Sequence, residues 1–277
     1  MSAASFTRIF CLCAGLLLVV IRAPMIQAED ELYSKTIPVS GVTELEVHQG
    51  FRVVISQGEE EYVRAVAHPD ALSHIVAELT DNRLRLGSST NAPLPVLFEI
   101  QLRNINRISL MDVAEANIDR LDVDDLRLSA QGAGEIALGV IHAQQLDLTF
   151  IGTGAIASRS VDARQAQFRL AGSGSISVDN LTVGELELDL SSSAGVHLVS
   201  SGSIDSSSIH LSGTGIFNAA NTVTRQAEID IAGSASALVN VTESLDVSTS
   251  GSGTVTYYGN PNLDTGIFGS GLVEQAL

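Results

Sequence analysis

Five residues in the second half of this 277-residue chain have the types and spacing for polysaccharide chemistry. Asp147, Glu187, Asp189 and Asp230 are carboxylates, and Arg169 falls between the first and the third. Paired acids can serve as acid and base or nucleophile on a glycosidic bond, and an acid beside a cation suits lyase chemistry. Such a site also needs long loops to build a cleft, and the segments between the apolar runs here stay near eight to ten residues. The competing reading is a solvated strand face carrying charge.

A second candidate is Gly172-Ser173-Gly174, inside "LAGSGSISVDN". A dinucleotide turn needs Gly-x-Gly-x-x-Gly followed by a helix whose N-terminus holds the phosphate. Here Ser175-Ile176-Ser177-Val178 follows, which alternates like a strand. A Walker loop needs a lysine, and the only one in the chain is Lys35. A calcium β-roll needs an aspartate at a fixed place after the glycines, but Glu135, Ala155, Ser175 and Ile216 stand there. The histidines, His48, His68, His74, His142, His197 and His210, show no metal spacing. No catalytic residue, cofactor or metal is expected.

The triplet recurs. Gly-Ala-Gly at 132–134, Gly-Thr-Gly at 152–154, Gly-Ser-Gly at 172–174, Ser-Ser-Ala at 192–194, Gly-Thr-Gly at 213–215, Gly-Ser-Ala at 233–235, and Gly-Ser-Gly at 251–253 and 269–271 form one series. Successive third residues are 20, 20, 20, 21, 20, 18 and 18 residues apart. Apolar columns keep the same register. Before the triplets come Leu128, Leu148, Phe168, Leu188, Ile209, Ile229, Val247 and Thr265; after them come Ile136, Ile156, Ile176, Val196, Phe217, Ala237, Val255 and Val273. Each unit reads as strand, tight turn, strand and connector. A unit this small cannot bury its own apolar face, so like columns must stack on like, as in a parallel β-solenoid. At about 4.8 Å per coil, eight coils give a rod of about 38 Å.

The glycines Gly132, Gly134, Gly152, Gly154, Gly172, Gly174, Gly213, Gly215, Gly251, Gly253, Gly269 and Gly271 are read as structural corners. Ala194 and Ala235 indicate that the third place needs a small residue rather than glycine's dihedral freedom. Ile108–Ile118 fits the columns loosely, with Asp112 in place of the first glycine, and is read as a degenerate early coil. Residues 29–107 lack the triplet and are read as a non-repetitive β cap, with strands in 44–58, 62–68 and 96–102 and a short helix or turn in 69–79. The turn at Asn260-Pro261 is read as belonging to the opposite cap.

The formal charge of −17 leaves no basic face for nucleic acid. Arg8 precedes the thirteen-residue run Ile9–Ile21, too short to span a bilayer and right for the core of a signal peptide cleaved near Ala28. Both cysteines, Cys11 and Cys13, lie in that segment, so the mature chain would hold no thiolate and no disulfide. The expected organisation is a signal peptide over 1–28, a β cap over 29–107 and the repeat over 108–277, the last two continuous.

The Gly-Ser-Gly-x-Ile units, the closing "VTYYGNPNLDTGIFGSG" and the leading "GFRVVISQGEEEYVRAVA" with "NRLRLG" resemble the bacterial putative auto-transporter adhesin, head GIN domain family, over about residues 36 to 277. The resemblance implies an all-β, right-handed parallel β-helix of pectin-lyase-like shape, exported to the periplasm, outer membrane or exterior, with a role in adhesion. It carries over no catalytic motif. "SSSAG" at 191–195 and "GSASA" at 233–237 depart from the repeat at single turns. The expected function is non-enzymatic adhesion or interaction at the envelope, with a protein or carbohydrate ligand. The alternatives are a carbohydrate-active enzyme, lyase or hydrolase, on the same scaffold, and a periplasmic assembly factor. No membrane barrel follows the repeat in this sequence.

Overall fold

The structure is a computed structural model that describes residues 32–90, 95–198 and 202–276, of which Leu32 onward forms one compact unit. The segment read as a signal peptide lies outside the described residues. The chain folds as a β-solenoid of about eight turns, not a barrel. No helix among the described residues is long and apolar enough to cross a membrane.

Seven strands and one helix precede the repeat: β1 (Tyr33–Pro38), β2 (Glu44–His48), β3 (Arg52–Gln57), β4 (Tyr62–Ala67), α1 (Pro69–His74), β5 (Ile75–Thr80), β6 (Arg83–Ser88) and β7 (Leu97–Leu102). The early coil is β8 (Arg107–Met111) and β9 (Glu115–Ile118). The rod continues through β10 (Leu121–Gly132), β11 (Glu135–Gly152), β12 (Ala155–Gly172), β13 (Ser175–Val178), β14 (Leu181–Ser192) and β15 (Gly195–Leu198). It ends with β16 (Gly202–Gly213), β17 (Ile216–Gly233), β18 (Ser236–Gly251), β19 (Thr254–Tyr258), β20 (Asn262–Gly269) and β21 (Leu272–Gln275).

The columns read from the sequence are ladders of parallel strands. Leu128 pairs with Leu148, then Phe168, Leu188, Ile209, Ile229, Val247 and Thr265 in unbroken register. This is the first face of the rod. Ile136, Ile156, Ile176, Val196, Phe217, Ala237, Val255 and Val273 do the same on the second. The connectors are more than links. Leu121, Ile141, Val161 and Leu181 pair in series, and Val183, Ile204 and Thr224 continue beside them, so a third parallel face closes each coil.

The early coil at 108–118 is present in the expected register: Ile108 and Leu110 stack below Leu128 and Ala130. The segment before it holds two more strand pairs on the same columns. On the first face β2 lies between β6 and β8, parallel to both, with Leu84, Leu45 and Ile108 in line. On the second, β3 lies between β7 and β9. Stack order therefore differs from chain order: the first strand pair to form a coil sits inside the second. The segment read as a helix or turn is α1 for six residues and then the strand β5. Antiparallel strands end this side of the rod, β5 on β6, β4 on β7 and β1 on β4. They convert parallel edges into hairpin edges, with Lys35 on β1 and Glu78 on β5.

At the other end the expected cap is replaced by one more coil. Asn260-Pro261 leads into β20, and among the described residues β20 pairs only with β18 and β21 only with β19.

The interior is filled by aliphatic side chains and the buried rings of Phe98, Phe150, Phe168 and Phe217. Among the described residues, four interior hydroxyls, on Ser158, Ser207, Thr222 and Thr249, have no hydrogen-bond partner. Thr249 is fully buried between Ile231 and Ile267 in its column. An unpaired buried hydroxyl costs roughly 1–3 kcal/mol. Thr249→Val keeps the shape and the β-branch, so it is expected to raise stability by about 1 kcal/mol, read from the urea midpoint at unchanged m-value.

Candidate functional site

The corner glycines carry the backbone amides that a phosphate would need. Ser173 N and Gly174 N both donate to Gly152 O at 3.0 Å, and Ser175 N donates to Gly154 O at 3.1 Å. The next coil repeats the pattern, with Ser193 N on Gly172 O at 3.0 Å and Gly195 N on Gly174 O at 3.1 Å. The amides that could cradle an anion are spent on the coil below. The two glycines of a triplet do different work. Gly172 has φ +111°, and a Cβ there would lie 2.3 Å from Gly152 O. Gly154 has no such dihedral, but a Cβ on it would lie 2.1 Å from Gly134 O. Gln49 at φ 73° and Asp112 at φ 54° hold the first corner place in two coils that lack the glycine there.

Chemistry is therefore left to the outward face of the first sheet. Side chains there alternate with the buried column and repeat every coil, so each type forms a row along the rod. Gln145 Nε2 donates to Gln165 Oε1 at 3.2 Å, and Gln165 Nε2 donates to Glu185 Oε2 at 2.9 Å. In the neighbouring rows, Arg127 Nε donates to Asp147 Oδ2 at 3.2 Å and Arg169 Nη1 to Asp147 Oδ1 at 3.1 Å. Arg169 Nε also lies 3.8 Å from Asp189 Oδ2. Further along, His210 Nδ1 is 3.2 Å from Asp230 Oδ2.

Of the five candidates, the structure thus brings Asp147, Arg169 and Asp189 into one chain of ion pairs. Glu187 lies in the row of Asp147, two coils away with Gln167 between them. Asp230 follows Asp189 with His210 between them. The acids are strung along the rod, Asp147 and Asp189 beside guanidinium groups and Asp230 beside an imidazole; they do not converge on a common point. Sequence reasoning missed Arg127, Gln145, Gln165 and Glu185. Their signal is the 20-residue spacing itself, applied to the outward columns as it was to the inward ones.

An open concavity of about 580 Å³ lies over this part of the face, bordered by Glu44, Asn106, Arg107, Arg127, Gln165 and Glu187. A second, of about 650 Å³, lies around the corner, bordered by Asn104, Asp122, Asp124, His142 and Asp162. Among the described residues, no phenylalanine, tyrosine or tryptophan lines either one. No group of three or more His, Cys, Asp or Glu among the described residues is arranged to hold a metal.

Two exposed carboxylates have displaced acidity. Asp122 is held below the usual carboxylate range by two hydrogen bonds from Arg120, at 2.7 and 3.1 Å. Glu243 is held low in the same way by Arg225, at 2.9 and 3.1 Å. The folded value lies below the unfolded one, so this contribution to stability is present above the ordinary carboxylate range and is lost as pH falls through the folded value. An NMR titration of Glu243 is expected to show a midpoint below that of an unpaired glutamate, and Arg225→Gln to move it back up.

The sequence profile of the family "Putative auto-transporter adhesin, head GIN domain" matches residues 41–208 and 187–261. Among solved structures, a putative adhesin from Parabacteroides distasonis superposes with a TM-score of 0.71 at 19% identity, covering 90% of this chain and 98% of that one. A putative adhesin from Parabacteroides merdae gives 0.67 at 16% identity, covering 89% and 97%. A putative lipid binding protein from Parabacteroides distasonis gives 0.65 at 19% identity, covering 89% and 97%. At these identities the likeness is one of fold. No curated protein matches the sequence.

Proposed function

Because the chain belongs to the putative auto-transporter adhesin, head GIN domain family, we propose that it is an exported, non-catalytic, adhesin-like rod that binds its ligand on the outward face of its first sheet. The observation that carries the reading is the hydrogen-bonded row Gln145–Gln165–Glu185 beside the chain of ion pairs Arg127–Asp147–Arg169–Asp189, whose first two members border the same open concavity as the row. Planar amide, carboxylate and guanidinium groups bind pairs of hydroxyls in bidentate fashion. Held in rows roughly 4.8 Å apart, they match a polymer that repeats its hydroxyls. The ligand we favour is a hydroxyl-rich carbohydrate.

Several features support absence of turnover. Asp147 and Asp189 are ion-paired with arginines, the flanking connectors are a third sheet and build no cleft, and the family description names adhesion. Export rests on Arg8, the apolar run Ile9–Ile21 and the small residue Ala28, and an envelope or extracellular location follows from the family. The test is retention of the purified protein on a panel of immobilised glycans, with reducing ends assayed in the same samples. Binding without new reducing ends is expected. Release of reducing ends that is lost in Asp189→Ala would replace this reading with the carbohydrate-active enzyme.

A further inference from the structure

The two ends of the rod are unlike. One is closed by antiparallel β5, β4 and β1, with α1 against them. The other, among the described residues, stops at β20 and β21, two strands in parallel register with the coil before and with nothing beyond. In a parallel ladder half of a strand's amides and carbonyls point to the next strand, so this end presents an unfilled ladder. It also presents apolar side chains. Leu263 and Ile267 continue inward columns that are buried in every earlier coil of the repeat, yet they are 39% and 45% exposed. Phe268 and Leu272 beside them are 73% and 49% exposed.

We propose that this end is a dimerisation surface for a second copy of the chain, joined tail to tail. An extended peptide would cover one strand edge and leave the column between the faces open, whereas another solenoid end matches the whole cross-section. The sealed end of a second copy carries exposed charges on its edge strands, Lys35 on β1 and Glu78 on β5, opposite this apolar end, so the matching partner surface is the same open end. Its symmetry is two-fold, and growth stops at two. A two-fold axis makes the facing β20 strands antiparallel. Centred on Thr265, it sets Leu263 against the second copy's Ile267 and Ile267 against its Leu263, so both apolar pairs form. The same register places Asp264 opposite Gly266, so no like charges meet across the axis. One coil end is small. The two copies together bury on the order of 1,000 Å², the low end for specific association, where complexes are weak and transient.

Sedimentation velocity over roughly 1 to 200 µM tests this. Wild type is expected to shift from monomer to dimer. Thr265→Lys sets two lysines face to face on the axis and is expected to stay monomeric with an unchanged circular dichroism spectrum. An equimolar mixture of T265K and T265E is expected to re-form the dimer. Leu79→Lys, at the sealed end, is expected to dimerise as wild type does. A wild type that stays monomeric throughout, a dimer indifferent to Thr265→Lys, a mixture that does not re-associate, or assemblies larger than two would each overturn the proposal.

Discussion

Gly172→Val is expected to cost roughly 4 kcal/mol, the largest loss of any single corner change discussed. Its φ of +111° lies where a β-branched residue is a genuine outlier. Relaxing that dihedral does not help, because the Cβ would stand 2.3 Å from Gly152 O. That oxygen accepts from both Ser173 N and Gly174 N, so moving it breaks two bonds of the corner ladder. In a solenoid each coil touches only its neighbours, so the damage falls on the junction between the coils of Gly152 and Gly172. Gly50→Ala is the control. A Cβ there meets nothing within 4 Å and the dihedral is ordinary, so stability should change by less than about 0.5 kcal/mol. Urea unfolding of the two variants beside wild type gives the comparison. A Gly172→Val protein as stable as Gly50→Ala would mean that the corner is not packed as described.

Phe168→Ala should cost about 3–5 kcal/mol, the range for emptying a fully buried ring site. Phe168 is 1% exposed and stacks between Leu148 and Leu188. Its own coil holds Ser158, Ala163 and Ala166 as the other inward side chains of small volume, and the coil of Phe217 likewise holds Ala219, Thr222 and Ala227. The ring is thus offset by small residues within the same turn of chain. Their backbone is fixed by ladders above and below, so the coil cannot shrink to fill the space that alanine leaves. The urea midpoint is again the readout, with an intact β-sheet circular dichroism spectrum below it. A loss under about 1 kcal/mol would show that neighbouring coils collapse onto the site.

The parts of this molecule that were legible in the sequence are those with a local marker. The Gly-x-small triplet fixes the corner, the corner fixes the register, and the register fixes which of Leu128 or Ser129 faces inward. The third face has no such marker. It contributes about two inward residues per coil, such as Leu121 and Val123, and the repeat length varies from 18 to 21 residues. Its pairing also slips between Ala219 and Val223. The insertion of the β2–β3 coil inside the β6–β7 coil was not legible either. Gln49 takes the corner without glycine, and no local pattern records that stack order departs from chain order. On the outward face, carboxylates stood out by charge. The amide row Gln145–Gln165 did not, because uncharged polar residues on a strand look like ordinary solvated surface until their neighbours across the coils are known.

The central claim, that the first sheet's outward face is the binding surface, is tested most directly by one binding comparison. The wild-type protein, the double variant Arg127→Ala/Gln165→Ala and the second-face variant His197→Ala are titrated against the immobilised glycan that wild type retains best. The account predicts at least a tenfold weaker Kd for the double variant, about 1.4 kcal/mol, with His197→Ala equal to wild type and all three equally folded. Equal binding by the double variant, or a loss confined to His197→Ala, would contradict it.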